Sequence, residues 1–280
     1  MDTNQEHNAS LPIRHNLTLV YIFSLIIAIL MAAASIAGLL YPAVIYPKDE
    51  LLQSFMPNDV VNLFIGAPIL LGSMWLARRG QLIGLLFWPG ALFYVLYNYI
   101  AYVFGMLSNM MFLLYLTLVT LSAYTLIGLV ASIDGTAVRQ RLTGVVPERA
   151  AGGVLAGLGI LVCLRVIGAM VGALVSQTPV ATTELAVLVS DFMTSPAWII
   201  GGVLLWRRRE FGYVTGLGLL FQASMLFVAL ILFLLLRPFL TAAPFVLADV
   251  VVVSIMGLIC FIPFALFVRG VVSKRSSLPA

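Results

Sequence analysis

Three charged residues lie inside long apolar runs of this sequence: Arg165, Asp191 and Asp249. A charge at the centre of a membrane helix costs roughly 2.5–3.5 kcal/mol on insertion scales, so such residues pair with one another or line a polar pathway. A guanidinium beside two carboxylates is a set that binds an anion or relays a proton, and its members titrate together. Arg165 lies about ten residues, roughly 15 Å at 1.5 Å per residue, from the outer end of its run. Both aspartates occupy the outer portions of runs with the opposite direction, so an arginine side chain that snorkels outward reaches their level. Structural pairing is favoured slightly over ligand binding. The face of Arg165 carries Gly168 and Gly172, with Gly153 and Gly157 below. Small residues at that spacing permit close helix approach, which predicts that Arg165 faces protein rather than lipid.

A second polar set runs along one face of the third apolar run, at Tyr94, Tyr97, Asn98, Ala101 and Tyr102. Such a stripe lines a pocket for an aromatic, cationic or lipid-like ligand, or forms an aromatic belt at the outer membrane surface. The belt is favoured, because the tyrosines gather in the last turns of the run. Asn98 fits it least, since an amide that deep needs a hydrogen-bond partner. The ligand- or ion-binding candidates are therefore Arg165, Asp191, Asp249, Asn62, Asn98 and Tyr94, with Asp59 at the mouth of the second run a weaker one. No catalytic residue is assigned.

Missing residue types exclude several chemistries. Both histidines, His7 and His15, lie in the N-terminal tail, which excludes bis-histidine haem ligation, HExxH zinc sites and a Ser-His dyad within the membrane. No lysine falls in an apolar run, so a Schiff base is excluded. No phosphate-binding loop is present. No metal and no cofactor are expected, and an enzyme would have to work with carboxylates, arginine and tyrosines alone.

The elements that must position these residues follow from composition. Of 280 residues, 62% are hydrophobic and only 9% charged, and the mean hydropathy is +1.11. Soluble domains carry about 25% charged residues, so this is the composition of a membrane protein. The apolar runs are long and lack period-two alternation, which predicts an all-α fold with eight transmembrane helices. They cover 17–41, 58–78, 82–104, 108–132, 151–175, 186–206, 211–236 and 244–268. Segment 42–57 reads as an outer loop with a short interfacial helix. The polar tail at 1–16 lacks a basic leader, and the apolar run after it is too long for a signal peptide.

Charge sets the orientation. If the N-terminus is cytoplasmic, the inner segments hold Arg14, Arg78, Arg79, Arg139, Arg141, Arg149, Arg207, Arg208, Arg209, Arg269, Lys274 and Arg275, against Lys48 and Arg237 outside. The positive-inside rule then predicts a multi-pass protein of the cell membrane with both termini cytoplasmic. The sequons at Asn8 and Asn16 fall on that inner side and are discounted. The net charge of +4 is spent on topology, so nucleic acid is excluded as a partner. Cys163 and Cys260 fall inside apolar runs and form no disulfide framework.

The polar linker at 133–150 divides the spans into a first half at 17–132 and a second at 151–268, followed by a cytoplasmic tail at 269–280. Residues 66–80 align with 195–209, placing Gly72 on Gly201, Arg78 on Arg207 and Asn62 on Asp191, with Pro68 and Pro196 one position out of register. Past the arginines, one deletion brings Gly84 and Gly90 onto Gly212 and Gly218. A four-span unit has both ends on one side, so a tandem copy gives two parallel repeats related by an axis along the membrane normal. Pro68, Pro89 and Pro196 read as tolerated bends rather than hinges. The leading functional reading is a permease-like or solute-binding protein with its site in the outer half of the bundle, taking a small solute or an anion. The alternative is a non-catalytic subunit or scaffold, within a homo-oligomer or a larger membrane complex, and a carboxylate-based membrane enzyme is least favoured. Beyond the lipid bilayer, the sequence names no partner.

Overall fold

The structure, a computed structural model, describes residues 11–107, 109–241 and 244–273; His7, the sequon at Asn8, Lys274 and Arg275 lie outside them. Uninterrupted apolar sequence leaves the backbone no partner but itself, and the chain resolves into eight helices long and apolar enough to cross a membrane. The elements are α1 (Thr18–Leu40), α2 (Pro42–Ile45), α3 (Asp49–Val61), a π-helical turn (Asn62–Gly66), α4 (Ala67–Arg78), α5 (Leu82–Gly105) and α6 (Phe112–Ser132). There follow α7 (Gly135–Leu142), α8 (Glu148–Ser176), α9 (Thr182–Trp206), α10 (Glu210–Leu240) and α11 (Leu247–Ser273). No strand occurs among the described residues.

The second span differs from expectation. It runs without a break from Asp49 through the π-helical turn to Arg78, 30 residues or about 45 Å, against a hydrocarbon thickness of about 30 Å. The expected outer loop therefore ends at residue 48, and Pro57 lies buried inside a helix. The proline ring locks φ at a helical value, so it removes one hydrogen bond without forbidding the helix. The projecting first turns of α3 reach the second half of the chain. Glu50 accepts the Thr183 hydroxyl at 2.6 Å, and Gln53 accepts Arg237 at 2.8 Å. Pro68, which has no N–H to offer, follows the π-helical turn directly; widened turns of this kind appear where the regular ladder is interrupted.

The core is built around α5, the most buried of the eight spans. It packs against α4, α6, α9 and α10. Trp88 on α5 donates to Ser24 on α1 at 3.0 Å, and Phe87 meets Phe221 on α10 edge to face. The two helices touch at Gly90 and Gly218, where a Cβ on either residue would run into the other's backbone. On the second half, α8 lies against α9 through Gly152, Gly159 and Gly202.

The turns that join α4 to α5 and α9 to α10 have the same construction. Arg79, Gly80 and Gln81 donate backbone N–H groups to Trp75, Ala77 and Leu76; Arg207, Arg208 and Arg209 donate to Val203, Leu205 and Leu204. Gly80 and Arg208 occupy the left-handed region, at φ 73° and 56°. In this register Pro68 matches Pro196, Gly84 matches Gly212 and Gly90 matches Gly218, with no deletion. The register of these two turns differs by one residue from the alignment made on sequence alone, which paired the arginines rather than the backbone. The π-helical turn at Asn62–Gly66 adds a residue that α9 lacks, so this register does not extend back to Asn62 and Asp191.

At the arginine-rich end, the N-terminal segment is fastened across the α6–α7 junction. Ile13 bridges Ile133, Arg14 N–H donates to Ser132 at 2.8 Å, and Asp134 N–H donates to Pro12 at 2.8 Å. Asp134 also caps α7, accepting from the backbone of Thr136 and Ala137, and it accepts the Arg14 guanidinium at 3.1 Å.

Two outcomes follow from this packing. Gly90→Leu, which forces a side chain into the α10 backbone, should destabilise the protein by about 1–3 kcal/mol in thermal unfolding. Gly128→Leu, at a glycine with nothing within 4 Å of its Cβ position, should cost far less. The hydrogen bond from Arg14, with those from the α7 backbone, holds the Asp134 carboxyl below the usual carboxylate range. The stability from this group is therefore complete above that range and lost as pH falls through its lowered pKa. Hydrogen exchange at the amides of Arg14 and Asp134, corrected for the intrinsic rate, should accelerate there, and Asp134→Asn should show the faster exchange already at neutral pH.

Candidate functional site

Arg165 on α8 and Asp191 on α9 form an ion pair, with the guanidinium Nη2 at 2.5 Å from Asp191 Oδ2. The other carboxylate oxygen accepts the Tyr97 hydroxyl of α5 at 2.8 Å. Three helices from both halves of the chain thus meet at one carboxylate. They meet at a common depth, about 12–16 Å from the ends of α5, α8 and α9 that lie opposite the arginine clusters. Asp191 is buried, whereas the Arg165 side chain is 54% exposed.

That exposure contradicts the expectation of a packed Arg165 face. Gly168 and Gly172 stand in open space, as does Gly157. Gly152 and Gly159, on another stripe of the same helix, make the close approach to α9. A helix rich in glycine offers several small stripes, and their spacing does not reveal which one is used.

Asp249 does not join the pair. The last span begins at Leu247, so Asp249 lies in its first turn, exposed, with no ion pair among the described residues. A carboxylate there complements the positive end of the helix dipole.

The tyrosine stripe of α5 is core rather than belt. Tyr94, Asn98 and Tyr102 are buried, and Tyr97 is partly so. A hydrogen-bonded chain runs through them. Tyr94 donates to Asn62 Oδ1 at 3.3 Å, Asn98 donates to the Tyr94 carbonyl at 3.0 Å, and Asn58 donates to Asn98 at 3.0 Å. The chain ends on Asp59, which accepts Tyr102 at 2.9 Å and also accepts Tyr46. Of the six candidates, Arg165 and Asp191 thus lie together, Asn62, Asn98 and Tyr94 form a separate network, and Asp249 stands apart.

Asp59 is fully buried, and sequence reasoning underrated it. The reading that began the second span at residue 58 left Asp59 at a solvated mouth. The signal available was the pair Tyr99 and Tyr102, one helical turn apart on a neighbouring span.

A third feature contains none of the six. A cavity of about 730 Å³ opens between α6 of the first half and α9 and α10 of the second. Its floor is Pro89, Gly90 and Phe93 of α5, beside the contact with Gly218. The walls are apolar but for Thr215, whose hydroxyl donates to the Phe211 carbonyl of its own helix, and for the arginine-rich end, where Arg14 and Glu210 stand. The exposed side chains of Ile127, Ile200 and Phe211 frame a lateral opening. No group of three or more His, Cys, Asp or Glu side chains suited to a metal ion occurs among the described residues.

Comparison with protein-family models, with curated proteins and with solved structures finds no match to this chain.

If Arg165 serves to neutralise a buried carboxylate, Arg165→Met should destabilise the protein by about 1–2 kcal/mol. That is less than a fully buried pair would lose, because the guanidinium is half exposed. The double variant Arg165→Met/Asp191→Leu should recover at least half of the loss in unfolding experiments. Additive losses would mean that the two side chains do not act as a unit.

Proposed function

We propose that the protein is a permease-like, solute-binding membrane protein whose solute is amphipathic and occupies the cavity between the two halves. The observation that carries this reading is the cavity itself. Its volume falls within the 300–1,000 Å³ typical of ligand sites, and it is apolar along its length with charged side chains at one end. The lining residues of α10, from Glu210 to Leu219, give the cavity a depth of roughly 14 Å, room for an alkyl chain. The polar end of the solute would lie near Arg14 and Glu210. A lateral opening bordered by Ile127 and Ile200 suits entry from the lipid phase rather than from water.

Two further features support a permease-like arrangement. The matching turns at Gly80 and Arg208, and the contact of matching glycines at Gly90 and Gly218, are what two parallel four-helix repeats about a membrane-normal axis would produce. The arginine clusters face the cytoplasm in this reading by the positive-inside rule, which would put the cavity in the cytoplasmic leaflet with both termini on that side. In this reading the ion pair in the opposite half of the bundle fixes α8 and α9 against α5.

The second reading, a non-catalytic subunit or a homo-oligomer, is favoured by one observation. The face of α8 bearing Gly168 and Gly172 is unoccupied.

Equilibrium binding of a dansyl-labelled fatty acid to the protein in nanodiscs tests the first reading. Val130→Trp, which fills the cavity from α6, should weaken binding by about tenfold or more, equivalent to roughly 1.4 kcal/mol. Leu113→Trp, on an exposed part of the same helix outside the cavity, should leave it unchanged. Equal binding by both variants would place the fatty acid elsewhere and remove the support for a seam site.

A further inference from the structure

Asp59 poses a question that the solute site leaves open. Its side chain is fully buried, enclosed by α1, α3, α5, α6 and the segment after α2. Every group facing it is uncharged. Ser35 and Gly38 come from α1, Tyr46 from the segment after α2, Phe55 from α3, Tyr99 and Tyr102 from α5, and Tyr115 from α6. Among the described residues no lysine, arginine or histidine pairs with it. An ionised carboxylate without a cation is costly in such a place, and a carboxylic acid is not.

The hydrogen bonds around it serve both forms. Tyr46 donates to Oδ2. The Tyr102 hydroxyl lies 2.9 Å from Asp59 Oδ1 and 3.2 Å from the Phe55 carbonyl, and it has one proton for these two acceptors. When Asp59 is ionised, Tyr102 donates to Oδ1. When Oδ1 carries a proton, Asp59 donates to Tyr102, and Tyr102 turns its own proton to the Phe55 carbonyl. No heavy atom has to move, and when Asp59 is ionised the Phe55 carbonyl gives up the Tyr102 proton but stays within the hydrogen-bond ladder of α3. Two further buried hydroxyls, Ser35 Oγ and Tyr115 Oη, stand nearby without a hydrogen bond of ordinary geometry, Ser35 beside Asp59 and Tyr115 beside Tyr46.

We propose that Asp59 is a reversible proton-binding site, with Tyr102 as the switch that satisfies both protonation states. The step is a simple one: a proton from water adds to Asp59 Oδ1, forming one O–H bond, and leaves by the same bond breaking. Tyr46, which donates to the other oxygen Oδ2, covers the carboxyl group on the side facing away from the arginine clusters. It belongs to the short connection between α2 and α3, the least helical cover over the carboxyl group. The Asn58 side chain bonds Tyr102 at 3.4 Å and Asn98 at 3.0 Å, so the state of the switch reaches the middle of α5.

Infrared difference spectroscopy of the protein in nanodiscs, titrated with acid and base, tests the assignment. The expected result is a protonated-carboxyl stretching band that appears on acidification, shifts in heavy water and is lost in Asp59→Asn. Tyr102→Phe keeps the carboxyl group but removes its acceptor, so the same band should move to higher wavenumber. This second variant decides the matter if Asp59→Asn does not fold. A spectrum in which Asp59→Asn loses no titrating band, or in which Tyr102→Phe leaves the band where it was, would overturn the proposal. So would a midpoint that shifts with sodium chloride but not with choline chloride, since that would make the site one for a metal cation.

Discussion

Inside a bilayer, a polar side chain finds its partner within the protein or remains unsatisfied, and five such side chains crowd the second half of α5. Tyr94, Tyr97, Asn98, Tyr99 and Tyr102 all project from its second half. That load explains why α5 is the most buried span and why helices from both halves of the chain surround it. The partners come from outside it: Asn58, Asp59 and Asn62 on the second span, Asp191 on α9, and the Met31 carbonyl of α1, which accepts Tyr99 at 3.4 Å. Its first half is built differently. There the side chains are apolar, Gly90 lets α10 approach, and the divergence of α6 from α9 leaves the cavity. One helix thus has an enclosed polar end and an apolar end beside an opening.

The number of spans was legible in the sequence because crossing a membrane demands a length, and length is visible in one dimension. The Arg165–Asp191 contact was legible for a related reason, since depth can be counted along each helix at 1.5 Å per residue. What depth arithmetic does not give is the rotation of each helix. In a soluble protein the polar face marks the outside, but here lipid and protein interior are equally apolar. Gly168 and Gly172 were therefore assigned to a buried face they do not occupy, and the buried tyrosines of α5 were read as an exposed belt.

Asp59 and Asp249 show how strongly such readings depend on helix ends. Asp249 was placed too deep because α11 starts a few residues later than the apolar run suggests, leaving it in the first turn. Asp59 was placed too shallow because α3 starts well before the apolar run, with Asp49 and Glu50 in its first turn. The turns at the two arginine clusters show a comparable dependence on the backbone. Sequence comparison matches arginine to arginine, whereas the backbone matches the left-handed residues, one of them glycine and the other not.

The enclosed network and the open cavity lie on the same helix, and the contact of Gly90 with Gly218 is the point about which both are arranged. An experimental structure of the protein in nanodiscs, determined with a long-chain fatty acid present, tests this account most directly. The account predicts elongated density along Pro89, Phe93 and Val130, with α5 and α10 still touching at Gly90 and Gly218. A seam closed by direct packing of α6 on α9, with no space for a chain between them, would contradict it.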